Sequence, residues 1–272
     1  MDRSKLVAGR DYISNNSIST YKKCPYKYNL EYIKKIKPIK KSITLYFGVV
    51  LHQTLDYHFS NPSTADETVE YFNSAFDGGL SEQPILWQVN GSRKDGGDFQ
   101  DPESVKKYAE KAIRGYLEAY PERLEVLESE SDFVCKLGGI DYTGIIDKIV
   151  KMGDKIYVLD HKTAAQKVDE DYLQIDPQIS GYYLGAEALG YKVDGAIYDY
   201  IYKHKTPTFQ RYFVERTPKQ LESFIENTKQ AMKSLREGTI YQNISRECKT
   251  CNYWSYCKTG GELGDNYYEE LK

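Results

Sequence analysis

The sequence predicts an α/β protein: a central mixed β-sheet flanked by helices, with a helical N-terminal part and a C-terminal tail joined by a metal cluster. Two observations lead there. Helix-period segments fill the first part of the chain, strand-period segments follow from residue 131, and helix and strand signals then interleave, the order that a sheet covered by helices requires. Cys24 also stands more than two hundred positions from Cys248, Cys251 and Cys257, so a shared metal would bring the two ends of the chain together. With 272 residues, 28% of them charged and 40% hydrophobic, the chain has the balance of one elaborated globular domain, 1–272. No apolar run approaches the length that crosses a bilayer, and no apolar leader opens the sequence, which points to a cytoplasmic protein without a membrane partner.

The elements follow in order. Ser17 is placed to cap a helix through Tyr21 and Cys24, and Pro25 opens a second short helix through Tyr28 and Ile33. Apolar residues at helical spacing predict a helix over 45–59, and Asp101-Pro102 starts an amphipathic helix reaching about residue 127. These bound a helical insertion over 61–128, weakly structured in its first part, in which 79–101, with Gly91, Gly96 and Gly97 among charges, reads as a loop or mobile lid. A three-stranded antiparallel meander is expected next, over 133–137, 140–150 and 156–161, turning at Gly138-Gly139 and Gly153-Asp154. Asp176-Pro177 launches a helix to about 189, strands follow at 196–202 and 209–214, and Thr217-Pro218 opens a helix to about 236. The sheet core thus spans 131–215.

Cys248, Cys251 and Cys257 form a C-x2-C-x5-C run, and thiolates are soft ligands that suit an iron-sulfur cluster or tetrahedral zinc. Disulfides fit poorly, because five cysteines is an odd number and a chain this long does not need bridges. The spacing leaves iron-sulfur and zinc open. Cys135, in an alternating apolar stretch, reads as a buried small hydrophobe.

Period-two alternation puts Asp160 and Lys162 on one face of their strand and His161 on the other. Asp147, closing Gly144-Ile145-Ile146-Asp147, can oppose Asp160 across the hairpin. Two carboxylates brought together repel unless a cation lies between them, and oxygen ligands with an imidazole suit Mg2+ or Mn2+. His52 is the imidazole candidate, four residues after Gly48, which would let its helix approach closely. Gln178 and Tyr182, at i and i+4, share a helix face and could orient the lysine or grip a phosphate. The net charge of −3 excludes a uniformly basic coat, but Lys22, Lys23, Lys27, Lys34, Lys35, Lys37, Lys40 and Lys41 cluster within twenty residues, as a local nucleic-acid surface or a solvated helix face.

The order G-x-x-x-H, G-I-I-D, D-x-K, Q-x-x-x-Y resembles the RecB-like branch of the PD-(D/E)xK nuclease superfamily, and Cys24-Pro25 with the terminal C-x2-C-x5-C resembles its iron-sulfur subset, which includes CRISPR-associated exonucleases, the AddB nuclease domain and the exonuclease V group. The resemblance implies a restriction-endonuclease-like core. It implies a divalent metal, Mg2+ or Mn2+, on His52, Asp147, Asp160 and the carbonyl of His161. Lys162 would position the attacking water, Gln178 and Tyr182 would support it, and Cys24, Cys248, Cys251 and Cys257 would hold a [4Fe-4S] cluster. The third motif is D-x-K where E-x-K is commoner, and the long segment 61–128 departs from the simplest members.

The function expected is metal-dependent hydrolysis of DNA phosphodiesters, foremost by a single-strand exonuclease in recombination, repair or CRISPR-type processing, with helicase, recombination or CRISPR adaptation proteins as partners. A structure-sensitive endonuclease is the second enzyme reading. A non-catalytic DNA-binding assembly subunit, or a zinc-stapled binding module, is the alternative from another class.

Overall fold

The computed structural model describes residues 12–39, 41–81, 84–87, 99–122, 124–262 and 267–269. Along the chain these form β1 (Tyr12–Ser14), α1 (Asn15–Lys23), α2 (Pro25–Tyr28) with a π-helical turn (Asn29–Ile33), β2 (Ile36–Pro38), β3 (Lys41–Ser42), α3 (Ile43–Ser60) and α4 (Ala65–Leu80). They continue with β4 (Ile85–Leu86), α5 (Pro102–Ala119), β5 (Glu125–Leu137), β6 (Ile140–Met152), β7 (Lys155–Ala164), α6 (Glu170–Leu173), α7 (Pro177–Ala188), β8 (Gly195–Tyr202) and β9 (Thr208–Val214). The last elements are α8 (Pro218–Arg236), a 3-10 turn (Arg246–Thr250), α9 (Trp254–Lys258) and β10 (Tyr267–Glu269). The class is α/β with a mixed central sheet and flanking helices: β1 runs parallel to β6, β6 antiparallel to β7, β7 parallel to β8 and β8 antiparallel to β9, while β5 also pairs with β6. No helix among the described residues is long and apolar enough to cross a membrane.

The chain divides into two compact units, one of Met1–Ile39, Phe133–Gly144 and Thr217–Lys272, the other of Lys40–Asp132 and Ile145–Arg216. In the first unit the N-terminal helices meet the C-terminal segment directly. Tyr21 donates to the carbonyl of Thr239 (2.9 Å), Asn243 to that of Lys23 (2.8 Å) and Tyr253 to that of Ile36 (2.7 Å). Leu30, Ile36, Tyr253 and Tyr256 form a buried cluster against which Cys251 and Cys257 pack. In the second unit α3, α4 and α5 enclose an aromatic core: Phe47 is fully buried, with Phe72, Phe99 and Tyr108 ring centroids 4.9–5.9 Å away. Helices α3 and α7 both contact β7, and α5 contacts β9.

Several elements differ from the sequence expectations for local reasons. Ser14, not Ser17, caps α1; Ser17 is the third helical residue and its hydroxyl accepts from the Ser14 amide (2.9 Å), closing a capping box. Helix α4 fills the part of 61–128 expected to be weakly structured, started by the Thr64–Glu67 capping box and held by Val69, Phe72 and Phe76 on its buried face. Helix α5 stops at Ala119, eight residues short of the expected end, because Pro121 excludes helical backbone at Tyr120 and cannot donate. Strand β5 begins at Glu125 and is 13 residues long, where only 133–137 was expected. Of the loop over 79–101, residues 82–83 and 88–98, including Gly91, Gly96 and Gly97, lie outside the described residues, while Ile85–Leu86 pairs in parallel with Lys41–Ser42. Cys135 is half-buried, not buried, on the face of β5 that also carries Phe133 and Leu137. The turn at Gly138-Gly139 has φ of 58° and 81°, conformations that cost glycine nothing.

Truncating Phe47 to alanine removes a ring from the centre of the second unit's core, so F47A should lose about 3–5 kcal/mol in denaturant unfolding. A loss below about 1 kcal/mol would show that the three helices are not held by this cluster.

Candidate active site

The site lies wholly in the second unit, where β6 and β7 part. Their register runs Lys148↔Leu159, Ile149↔Val158 onward, and one further step sets Asp147 beside Asp160. Strand alternation assigns both residues to one face, but their carboxylates meet different partners: Asp147 turns to His52 and the His161 amide, Asp160 to Lys162 and Tyr182. Asp160 is only 2% exposed and Asp147 9%. Lys162, two residues on and on the same face, places Nζ 3.0 Å and 2.7 Å from the two Asp160 oxygens and 5.6 Å from the centroid of the Tyr198 ring.

From the same side, α7 delivers two further donors. Tyr182 donates to Asp160 Oδ1 (2.6 Å), and Gln178 Nε2 donates to both the Tyr182 hydroxyl (2.6 Å) and Asp160 Oδ1 (3.3 Å). The start of α7 is itself fixed: Asp176 caps it by accepting from the Gln178 amide (2.9 Å) and takes the Tyr198 hydroxyl (3.0 Å) on its other oxygen. Arg216, 8% exposed, binds the carbonyls of Asp176 (2.8 Å) and Leu173 (3.1 Å) and the hydroxyl of Ser180 (3.1 Å). Nothing in the sequence marks Arg216, since its partners are two backbone carbonyls and a serine hydroxyl more than thirty residues away.

Helix α3 brings His52. A Cβ on Gly48 would stand 3.1 Å from Thr163 Oγ1, so glycine is what allows α3 to lie this close to β7. His52 Nε2 is 2.5 Å from Asp147 Oδ2, which also accepts the His161 amide at 3.3 Å, and His52 Nδ1 is 3.4 Å from Glu130. One turn later on α3, Asp56 pairs with the fully buried Lys148 (2.8 Å) and accepts from Ser129.

His161 points to the face opposite Asp160, as strand alternation requires, and there it joins the site in a way the sequence did not reveal. Its Nε2 is 3.0 Å from the Tyr116 hydroxyl, which donates to Asp199 (2.6 Å), and Arg211 grips both Asp199 oxygens (2.7 and 2.6 Å). Its buried Nδ1 has no hydrogen-bond partner among the described residues. His52, Asp147 and the His161 ring offer ligating atoms all within 4.8 Å of one another. Burial, with Lys148 and His52 nearby, holds the His161 pKa well below its ordinary value, so the ring is neutral.

The electrostatics show which effect wins at each group. Burial raises Asp160 above the usual carboxylate range, to about 6; Asp147 adds to the rise, while Lys162 and Tyr182 oppose it. Hydrogen bonds to a charged group contribute about 1.5–3 kcal/mol each, yet three donors do not fully offset desolvation beside a second carboxylate. Burial would lower Lys162, but the Asp160 charge and hydrogen bond outweigh it and keep the ammonium charged. Burial would also lower His52, and Asp147, Glu130 and Asp160 raise it instead. Two carboxylates with excess negative field and a neutral imidazole beside them are a donor set that fits a hard divalent cation, and the fixed ammonium of Lys162 stands beside it as a point charge, not a ligand.

In the first unit the Cys257 thiol is pushed up by burial first and then by Cys251, Cys24 and Cys248, but among the described residues the four sulfurs do not form a group as close as that of His52, Asp147 and His161. All are half-buried and free of disulfides.

The family model of the PD-(D/E)XK nuclease superfamily matches residues 12–258. No curated protein matches the chain in sequence. A crystal structure of a candidate exonuclease from Eubacterium rectale aligns with TM-score 0.53 and 12% identity over 96% of this chain and 91% of that one, a likeness of fold. That of SSO0001 aligns with TM-score 0.36 and 14% identity over 88% of this chain and 94% of that one.

The raised Asp160 carboxyl has a consequence for stability. A group whose pKa rises on folding stabilises the protein fully below its unfolded value, near 3.8, and that contribution is lost as pH climbs through about 6. The upward shift of His52 acts with the same sign at higher pH. Metal-free D160N should therefore show a flatter dependence of melting temperature on pH than the wild type between about 4 and 6.5. Parallel curves for the two proteins would contradict this account of Asp160.

Proposed function

Because the chain belongs to the PD-(D/E)XK nuclease superfamily, we propose that it is a Mg2+- or Mn2+-dependent DNA exonuclease that hydrolyses phosphodiester bonds from free ends, acting on single strands. The observation that carries this reading is the convergence of Asp147, Asp160 and Lys162 at the parting of β6 and β7. His52, Asp147 and Asp160, with the His161 carbonyl, would hold the cation. When bound, the cation lowers the pKa of a water and takes up charge developing on the scissile phosphate.

The remaining steps belong to the chain's own groups. Lys162, held as an ammonium by Asp160, places a positive charge beside the attacking water and the phosphate. Tyr182 and Gln178 fix the carboxylate of Asp160, so that it cannot turn away when the phosphate enters. Asp176 and Arg216 hold the start of α7, and through it those two donors, in place. Phosphate attraction and base stacking tolerate any sequence, so selectivity falls on strand form and ends.

A [4Fe-4S] cluster on Cys24, Cys248, Cys251 and Cys257 is the second part of the proposal, with zinc as the less favoured metal. It rests on the spacing of the cysteines and on the joining of Tyr21, Lys23 and Ile36 to the C-terminal segment that carries three of them. DNA is the proposed substrate, and the pathway proteins would be those of recombination, repair or CRISPR-type processing.

End-labelled linear single-stranded DNA should be degraded with Mn2+ while a circular strand survives; cutting of the circle would favour a structure-sensitive endonuclease. D160A and K162M should each lose activity by several orders of magnitude while still binding DNA. Near-wild-type turnover in either would refute the assignment and favour a non-catalytic DNA-binding subunit. Anaerobically purified protein should be brown with about four irons per chain, losing colour on Cys24→Ser and keeping it on Cys135→Ala. One zinc and no iron would contradict the cluster.

A further inference from the structure

Ser129 and Glu130 are consecutive residues of β5, and an extended strand would send their side chains to opposite faces. Both nevertheless meet α3: the Ser129 hydroxyl donates to Asp56, and Glu130 Oε1 lies 3.4 Å from His52 Nδ1. Asp56 and His52 are four residues apart and so share one face of the helix. The backbone of Glu130 makes this double contact feasible, because its φ of 48° is left-handed, a conformation that a non-glycine residue rarely adopts and that in a strand re-aims a side chain. Glutamate has no intrinsic preference for such a backbone, so the contact it secures is what the strain serves.

His52 has a carboxylate beside each ring nitrogen: Nε2 is hydrogen-bonded to Asp147 at 2.5 Å, and Glu130 Oε1 stands at ion-pair distance, 3.4 Å, from Nδ1. A histidine that ligates a metal through one nitrogen needs an acceptor for the N–H on the other, which fixes tautomer and ring orientation. We propose that Glu130 is a positioning residue for His52, orienting its imidazole so that Nε2 faces Asp147 and the cation while Nδ1 keeps its proton. The inference rests on the reading of this site as a cation-dependent nuclease centre.

The test compares Glu130→Asn and Glu130→Gln with Asp160→Asn, using Mn2+ affinity read by the paramagnetic resonance of free Mn2+, melting temperature and turnover on single-stranded DNA. Asparagine accepts left-handed backbone more readily than glutamate but is too short to reach His52, so E130N should melt at or above the wild-type temperature. Its Mn2+ affinity should nevertheless fall about 10- to 100-fold, with kcat reduced and KM little changed. E130Q keeps an acceptor oxygen at full reach and should recover part of both. A merely structural role predicts the reverse pattern, lowered melting temperature with intact Mn2+ binding, and that result would overturn the proposal, as would E130N binding Mn2+ like the wild type. D160N separates the two levels of the argument. If it retains wild-type Mn2+ affinity, the cation site is misplaced; if it loses Mn2+ while E130N does not, only the role of Glu130 fails.

Discussion

Asp147 and Asp160, two carboxylates on neighbouring strands with almost no access to water, are the constraint around which the second unit is arranged. Side by side they repel, and burial denies them the solvent that would screen the repulsion. The surrounding structure answers with donors from every direction: Lys162 from the same strand, Tyr182 and Gln178 from α7, the His161 amide and His52 from α3. The upward shift of Asp160 that persists despite them is the mark of a site shaped for one more positive charge.

Positions far from the carboxylates take their meaning from this requirement. A side chain on Gly48 would press on Thr163 Oγ1, 3.1 Å from where its Cβ would stand, and the close approach that glycine eases sets His52 against Asp147. Arg216 is buried with backbone carbonyls for partners because those carbonyls end the segment that leads into α7. Tyr116, Asp199 and Arg211 form a fixed chain behind the site that ends on His161. Strain at Glu130 belongs to the same economy, since a relaxed strand would not carry both Ser129 and Glu130 to α3.

Much of this was readable from residue order where the signal is local. The period-two pattern around Asp160, the i, i+4 relation of Gln178 and Tyr182 and the proline-led helix starts at Pro102, Pro177 and Pro218 depend on neighbours in sequence, and the structure has them in those relations. The capping box at Thr64–Glu67 was equally local and would have revealed α4. What could not be read is what depends on partners distant in sequence. Arg216, Glu130 and the His161 ring acquire their roles from backbone atoms, a left-handed dihedral and a helix arriving from more than forty residues away. The short β1, parallel to β6, is likewise a pairing across more than a hundred residues that its three residues do not announce.

The central claim is that the two carboxylates form a cation site, and the dependence of stability on cation concentration tests it without reference to catalysis. A ligand that binds only the folded state raises stability with the logarithm of its concentration once above its dissociation constant. At pH 7.5 the melting temperature of the wild-type protein should climb with added Mn2+, and the double variant D147N/D160N should melt at a temperature that Mn2+ does not change. A melting temperature insensitive to Mn2+ in the wild type, or a rise preserved in the double variant, would contradict the account.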